Sequence, residues 1–273
     1  MSVQIKKFAI LGERCSGTNF LEESILSNFN LTHTIEYGSK HFFCFNKYDK
    51  AKTSDTLFIG IIRNPIYWLN SFSKELYHIP EINRSPLKNF LFNEFYSVND
   101  ELDVSNNNNN NVFFMNSHPY TYKYKTNTKD LNYVTGKKYK NIFEMRKLKN
   151  NYLINIMPTQ VKNFILINYE DLLYNYDQTL SDLKLKFNLI QTTTKFEIVT
   201  KYKKSETYKF VRQRLISFPE NLIKLLWANL DVNQEAQLGY FMGDNNTHFK
   251  TKYSTNNLIL NADSCNETSS QIM

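Results

Sequence analysis

Phe8-Ala9-Ile10-Leu11-Gly12-Glu13-Arg14-Cys15-Ser16-Gly17-Thr18-Asn19-Phe20-Leu21 reads as strand, loop and helix start in a single run. The apolar Phe8–Leu11 suits a buried strand, and Thr18 opens an amphipathic helix. A small-residue loop at such a junction is a ready anion site. Its backbone N–H groups and the helix dipole both favour negative charge. Ser16, Thr18 and Asn19 offer side-chain hydrogen bonds, and Arg14 offers a forked, charged donor. Gly12 and Gly17 have the spacing of a Walker A loop, but Thr18 stands at its Lys position and Asn19 at its Ser/Thr position. That disfavours ATP or GTP hydrolysis. A C-x5-R phosphatase loop fails, because Leu21 occupies the Arg position. An ordinary strand-to-helix turn that uses Gly17 for backbone freedom remains the competing reading.

Outward from this stretch, Leu57–Ile62 and Phe164–Ile167 are further apolar runs, each followed by a polar turn and an amphipathic segment. The alternation predicts an α/β fold with a central parallel sheet flanked by helices. Thr32–Tyr37 alternates and is a further predicted strand. Helices are expected over Thr18–Asn28, Pro65–Tyr77, Pro86–Tyr96, Asn141–Ile156, Gln178–Phe187 and Pro219–Leu230. Pro65 and Pro219 sit at first-turn positions. Asn99–Asn111 ends in an asparagine run and is expected to be a disordered surface insertion. Ser254–Met273 reads as a polar C-terminal tail.

The chain has 273 residues, of which 41% are hydrophobic, enough for one core of α/β size. No run approaches the ~18 apolar residues of a membrane span, and Met1–Leu11 lacks a secretory h-region. Cys15, Cys44 and Cys265 lie far apart without C-x-x-C spacing. That argues against a disulfide scaffold and a zinc site, and for a cytoplasmic setting. Lys+Arg of 33 against Asp+Glu of 26 gives a net charge of +7. The excess suits an anionic ligand rather than dedicated nucleic-acid binding. Arginine is scarce beside lysine, which draws attention to Arg14 and Arg63 at the ends of apolar runs.

Leu57–Ile62 delivers Arg63-Asn64-Pro65, with Ser71 eight residues beyond Arg63. Open α/β sheets bind ligands at the carboxyl ends of their strands. Arg63 and Ser71 meet on one phosphate if the strand end folds back over the helix, whereas a surface ion pair is the plainer role for Arg63. Trp68 and Phe72 share a helical face and are expected in the core.

These loops, in this order, resemble the sulfotransferase family that uses 3′-phosphoadenosine 5′-phosphosulfate. Gly12–Asn19 looks like its 5′-phosphosulfate loop, and Arg63-Asn64-Pro65 with Ser71 like its 3′-phosphate motif. Ser39-Lys40-His41-Phe42 resembles the element that carries the catalytic base. Ile167-Asn168-Tyr169-Glu170-Asp171-Leu172 resembles the strand-end motif whose tyrosine lies near the adenine. The likeness covers residues 5–75 and 160–190, and more weakly 215–241. Cys15 and Asn19 depart from the common cytosolic pattern, and a late Arg-Lys-Gly loop is absent. Lys203-Lys204 and Arg212-Gln213-Arg214 are its weak substitutes.

The resemblance implies a single P-loop-like domain over residues 1–253 that transfers a sulfuryl group to an acceptor hydroxyl. Arg14, Cys15, Ser16, Gly17, Thr18, Asn19, Arg63, Ser71 and Tyr169 would hold the donor. Arg14 and the loop amides would stabilise the leaving phosphate. His41 would take the acceptor proton, with Lys40 near the sulfuryl oxygens. Glu13 and Glu36 are the alternative bases. No metal is required. The acceptor stays open between a sugar, a phenol and a peptide; the aromatic and basic residues of 112–140 either line its pocket or fill the core. A catalytically silent nucleotide-binding module and an atypical P-loop kinase are the rival functions.

Overall fold

A computed structural model describes residues 3–99, 125–200 and 218–243. Strand β1 (Lys7–Leu11) leads through the loop to helix α1 (Thr18–Asn28), followed by β2 (Thr32–His33) and β3 (Thr56–Ile62). Helix α2 (Pro65–Phe72) and α3 (Leu87–Phe92) come next, then a small antiparallel pair, β4 (Val98–Asn99) and β5 (Lys125–Thr126). Helix α4 (Ile142–Asn151) runs through a π-helical turn, Tyr152–Ile156, into α5 (Met157–Gln160). Strand β6 (Phe164–Asn168) is followed by α6 (Tyr169–Tyr174), α7 (Tyr176–Phe187), α8 (Glu220–Asn229) and α9 (Val232–Gln237).

The fold is α/β, with helices on a four-stranded sheet of order β2-β1-β3-β6. Every pairing in that sheet is parallel. Both faces are covered, which is why its strands read as unbroken apolar runs. All of Thr56–Ile62 is buried. Side chains alternate between two cores. Leu57, Ile59 and Ile61 meet Phe20, Leu21 and Ile25 of α1 on one face, and Phe58 and Ile62 meet Trp68, Phe72 and Met145 on the other. Trp68 and Phe72 pack 5.7 Å apart, as their helical spacing predicts.

Helix ends depart from expectation for local reasons. Helix α2 starts at Pro65 under an Asn64 cap that accepts from Ile66 N and Tyr67 N. It stops at Phe72 rather than Tyr77. The amides of Lys74 and Glu75 bond three residues back, and His78 takes a left-handed φ of 61°, which turns the chain. Helix α3 stops at Phe92 instead of Tyr96, because Phe95 exchanges main-chain hydrogen bonds with Tyr139. Only Thr32–His33 of the expected Thr32–Tyr37 strand pairs with the sheet. In the expected Asn99–Asn111 insertion, Asn99 is the last described residue and pairs with Lys125. The rest of that insertion, the tail Ser254–Met273, Lys203-Lys204 and Arg212-Gln213-Arg214 lie outside the described residues. Among the described residues, no helix is long and apolar enough to cross a membrane.

Candidate functional site

The loop Gly12–Gly17 sits at the carboxyl end of β1, and its carbonyls are held from the protein side. Ser16 Oγ donates to Glu13 O at 2.5 Å, Trp68 Nε1 to Arg14 O at 2.8 Å, and Arg63 Nη1 to Cys15 O at 3.0 Å. Cys15 and Gly17 take positive φ, 64° and 99°. Gly12 N, Arg14 N and Ser16 N are already bonded to Lys40 O, Glu13 Oε1 and Glu13 O, so an anion would be met by the amides of Cys15 and Gly17, the two left-handed residues. Gly17 is the N-cap of α1 and no side chain caps that helix. Its first-turn amides therefore add to the same electropositive mouth.

Arg63 and Ser71 do meet. Arg63 Nη1 lies 3.1 Å from Ser71 Oγ while it also holds Cys15 O. The guanidinium is 4.7 Å from the Tyr169 ring. That ring fills the space beside Gly17, where an added Cβ would approach it to 2.2 Å. Three expected donor-site elements (the loop, Ser71 and Tyr169) thus each contact the fourth, Arg63. Among the described residues Arg63 forms no ion pair, and its Nε is buried without a partner. Its direct contacts are neutral oxygens and a ring face, and its charge acts through space on the buried Glu170 carboxyl.

Lys40 and His41 flank the same loop. Gly12 N donates to Lys40 O at 2.9 Å. Lys40 Nζ reaches Asn19 Oδ1 at 2.6 Å and Glu22 Oε2 at 3.1 Å. His41 Nδ1 lies 2.7 Å from Gly12 O. A carbonyl only accepts, so Nδ1 carries the proton and Nε2 the lone pair. Burial lowers the His41 pKa to about 4, against the pull of the Glu13 charge. The ring is therefore neutral near pH 7.

Arg14 is the exception. Its guanidinium turns into the core, where it donates to Glu13 Oε1 (2.8 Å), Tyr77 O (3.1 Å) and Asp130 Oδ2 (3.1 Å), 4.8 Å from the Phe72 ring. Only 5% of it is exposed. The expected contact of this side chain with a leaving phosphate is not brought about; buried carboxylates attract the guanidinium more strongly than an open loop mouth. Burial pushes the Cys15 thiol up to about 12, so it stays protonated near neutrality.

The alternative bases fare differently from His41. Glu13 is buried, which alone would raise its pKa; Lys149 and then Arg14 and His41 outweigh that and hold the carboxyl well below its usual range. Such a group does not accept a proton near neutrality. Glu36 pairs with Lys7 at 3.3 Å on the exposed rim beside β2.

Several residues without any motif complete the surroundings. Lys149 of α4 is buried, donates to Glu13 Oε2 and, at 3.0 Å, to His41 O, and ion-pairs with Asp130 Oδ1. Glu13, Asp130, Arg14 and Lys149 thus form a neutral quartet beneath the loop. Arg146 pairs with Glu235 of α9 at 2.5 Å and donates to Arg63 O at 2.9 Å. Glu170 accepts from Asn64 N at 3.0 Å and Tyr240 Oη at 2.9 Å. Arg84 Nε, away from the loop, donates to Ile79 O at 2.8 Å. All four described arginines therefore donate to a main-chain carbonyl. Apolar neighbours on α4 gave Arg146 and Lys149 their buried face, but no spacing in the sequence signals their partners. Within the described part of 112–140, Tyr139 is fully buried and Tyr133 packs on the core. Among the described residues no cluster of His, Cys, Asp or Glu could hold a metal ion.

No family model, no curated protein and no solved structure matches this chain.

Proposed function

We propose that this chain is a sulfotransferase that moves the sulfuryl group of 3′-phosphoadenosine 5′-phosphosulfate to an acceptor hydroxyl. The observation that carries the reading is the contact of Arg63 with both Ser71 Oγ and Cys15 O. It joins a charged fork and a hydroxyl, suited to a 3′-phosphate, to a loop suited to the 5′-phosphosulfate. Tyr169, against Gly17 and Arg63, closes the inner wall of the donor site. Ser16, Thr18 and Asn19 line the loop and the start of α1.

In the transfer, the acceptor oxygen forms a bond to sulfur as the bond from sulfur to the bridging oxygen breaks. His41 Nε2 takes the acceptor proton. The electron pair leaves with the 5′-phosphate, giving 3′,5′-bisphosphoadenosine. Loop amides and the α1 N-terminus offset the charge that builds on this leaving group, and Lys40 faces the sulfuryl oxygens. Arg14 contributes by anchoring the loop to Asp130 rather than by touching the donor. The acceptor class is a sugar, phenol or peptide hydroxyl. Among the described residues the thiols of Cys15 and Cys44 are free, which suits a reducing, cytoplasmic setting.

A catalytically silent nucleotide-binding module is favoured over the enzyme by one observation only, the withdrawal of Arg14 into the core. The placement of Lys40 and His41 against the loop favours the enzyme.

Calorimetry tests the donor site. The native protein should bind 3′,5′-bisphosphoadenosine well, and AMP and magnesium-ATP poorly. Arg63→Ala should cost about 1.5–3 kcal/mol of bisphosphoadenosine binding and Ser71→Ala less, because a hydrogen bond from a charged donor is the stronger. AMP should be indifferent to both changes. Equal affinity for AMP and bisphosphoadenosine would sink the assignment, and preference for magnesium-ATP would point to a kinase.

A further inference from the structure

Helix α1 places Asn19 and Glu22 one turn apart, on the side that faces the segment after β2. The Lys40 ammonium lies across them, 2.6 Å from Asn19 Oδ1 and 3.1 Å from Glu22 Oε2. The other oxygen of Glu22, Oε1, is 3.3 Å from Nδ1 of His33. His33 belongs to β2, and its ring packs 5.1 Å from Phe8 of β1. All three polar side chains are mostly shielded, with exposures of 21% for His33, 19% for Glu22 and 23% for Lys40. The His33 hydrogen bond first, and the Lys40 charge after it, lower the Glu22 pKa to about 2 against the effect of burial. Glu22 is thus a permanent anion gripped at both oxygens.

An ammonium has three N–H donors. Asn19 and Glu22 account for two of them, and a third remains. We propose that Glu22, braced by His33, is a positioning residue that fixes Lys40 at the N-terminus of α1 so that this third N–H meets the group being transferred. The short edge strand β2 then has a role in the chemistry. It carries the brace from the sheet to the helix. The inference rests on the sulfotransferase reading and adds to it the residues that hold its second cation.

A loose lysine can occupy many rotamers, and most of them miss the transition state. Misplacement of a catalytic group by about 1 Å can cost on the order of a hundredfold in rate. The product 3′,5′-bisphosphoadenosine lacks the sulfuryl group, so its affinity should not sense where Lys40 points. That separates positioning from general damage to the site.

The experiment is a double-mutant cycle on the full chain, with Glu22→Gln, Lys40→Met and the pair. Turnover is followed with labelled donor on a panel of phenols and sugars, and bisphosphoadenosine affinity by calorimetry. Glu22→Gln should lower kcat about ten- to a hundredfold while bisphosphoadenosine affinity changes by less than about twofold. In the Lys40→Met background the same substitution should do almost nothing, since the two act through one contact. His33→Gln should lower kcat in the same direction and more weakly, again only when Lys40 is present; it carries the test if Glu22→Gln fails to fold. A native kcat in Glu22→Gln, or an equal loss with and without Lys40, overturns the inference and leaves the sulfotransferase reading standing. Absence of bisphosphoadenosine binding or of turnover in the native protein overturns the reading itself, and this inference with it.

Discussion

The Nδ1 atom of His41 is bound to the carbonyl of Gly12 at 2.7 Å, the first residue of the loop proposed to hold the donor. One hydrogen bond therefore fixes both the tautomer of the imidazole and its place relative to the leaving group. His41→Ala should leave bisphosphoadenosine affinity nearly intact and lower turnover by ~10²–10⁴, the usual loss on removal of a general base. Native turnover in this variant would direct the search for the base elsewhere.

The same histidine should leave a mark on stability. Its folded pKa is about 4 and its ordinary value 6.5. Between those values the unfolded chain binds a proton that the folded protein does not, so stability should fall as pH drops through that window and level off below it. Asp171 acts in the opposite sense, because burial raises its pKa to about 6. The informative quantity is the difference between native and His41→Gln denaturation curves, which should shrink as the pH is lowered from about 7 to about 4. A constant difference across that range would show that the ring is not held neutral by the fold.

Gly17→Ala should be damaging out of proportion to its size. The left-handed backbone alone costs a non-glycine residue about 1–2 kcal/mol, and the new methyl would collide with Tyr169. Tyr169→Ala removes the collision but not the backbone strain, so the double variant should lose less than the sum of the two single changes in urea denaturation. Full stability in Gly17→Ala would mean that the loop adopts another shape.

Lys149→Met removes a buried cation from between Glu13 and Asp130. Breaking a buried pair by deleting one partner typically costs about 3–5 kcal/mol. Asp130→Asn in the same chain removes one of the stranded anions, so the double variant should lose less than the sum of the two single changes. Additive losses in chemical denaturation would show that the two side chains are not coupled.

Asn99 and Lys125 face one another across the β4–β5 pair. An Asn-Gly turn in place of residues 100–124 should therefore close the hairpin without strain. Loop-closure cost changes by only ~0.6 kcal/mol per doubling of length, and 1 kcal/mol moves the melting point of a domain this size by about 2–4 °C. Melting temperature and donor affinity should both survive, as thermal denaturation and calorimetry will show. A collapse of either would mean that the excised residues brace the fold.

Much of the fold could be read from periodicity. Phe8–Leu11, Leu57–Ile62 and Phe164–Ile167 all lie in strands of the parallel sheet, and α1 spans the Thr18–Asn28 expected of it. Such segments are decided by burial of their own side chains. The ends of α2 and α3 were not legible, because Tyr77 O is drawn to Arg14 and Phe95 to Tyr139 across long sequence separations. The candidate site divides in the same way. Arg63 and Ser71 carry their spacing within one strand–helix junction, and the junction brings them together. Arg14 has an equally suggestive place in its loop, but Asp130, more than a hundred residues away, claims its side chain. Lys149, Glu235 and Tyr240 take part through tertiary packing alone, and no local pattern announces them.

Arginine makes up only 6 of the 33 basic residues in this chain. Each of the four described ones, Arg14, Arg63, Arg84 and Arg146, donates to a main-chain carbonyl. Arg14, Arg63 and Arg146 use a second nitrogen or the same one on a side-chain oxygen as well. A lysine has charge but no planar fork, and its single nitrogen does not reproduce the spread of a guanidinium over separated acceptors, as Arg14 and Arg146 use it. Composition drift toward lysine therefore has a floor in this protein. Exchange of arginine for lysine would be silent over most of the surface, yet at these positions it would unfasten backbone segments from one another. The four described arginines mark where the chain has no freedom to follow its own compositional bias.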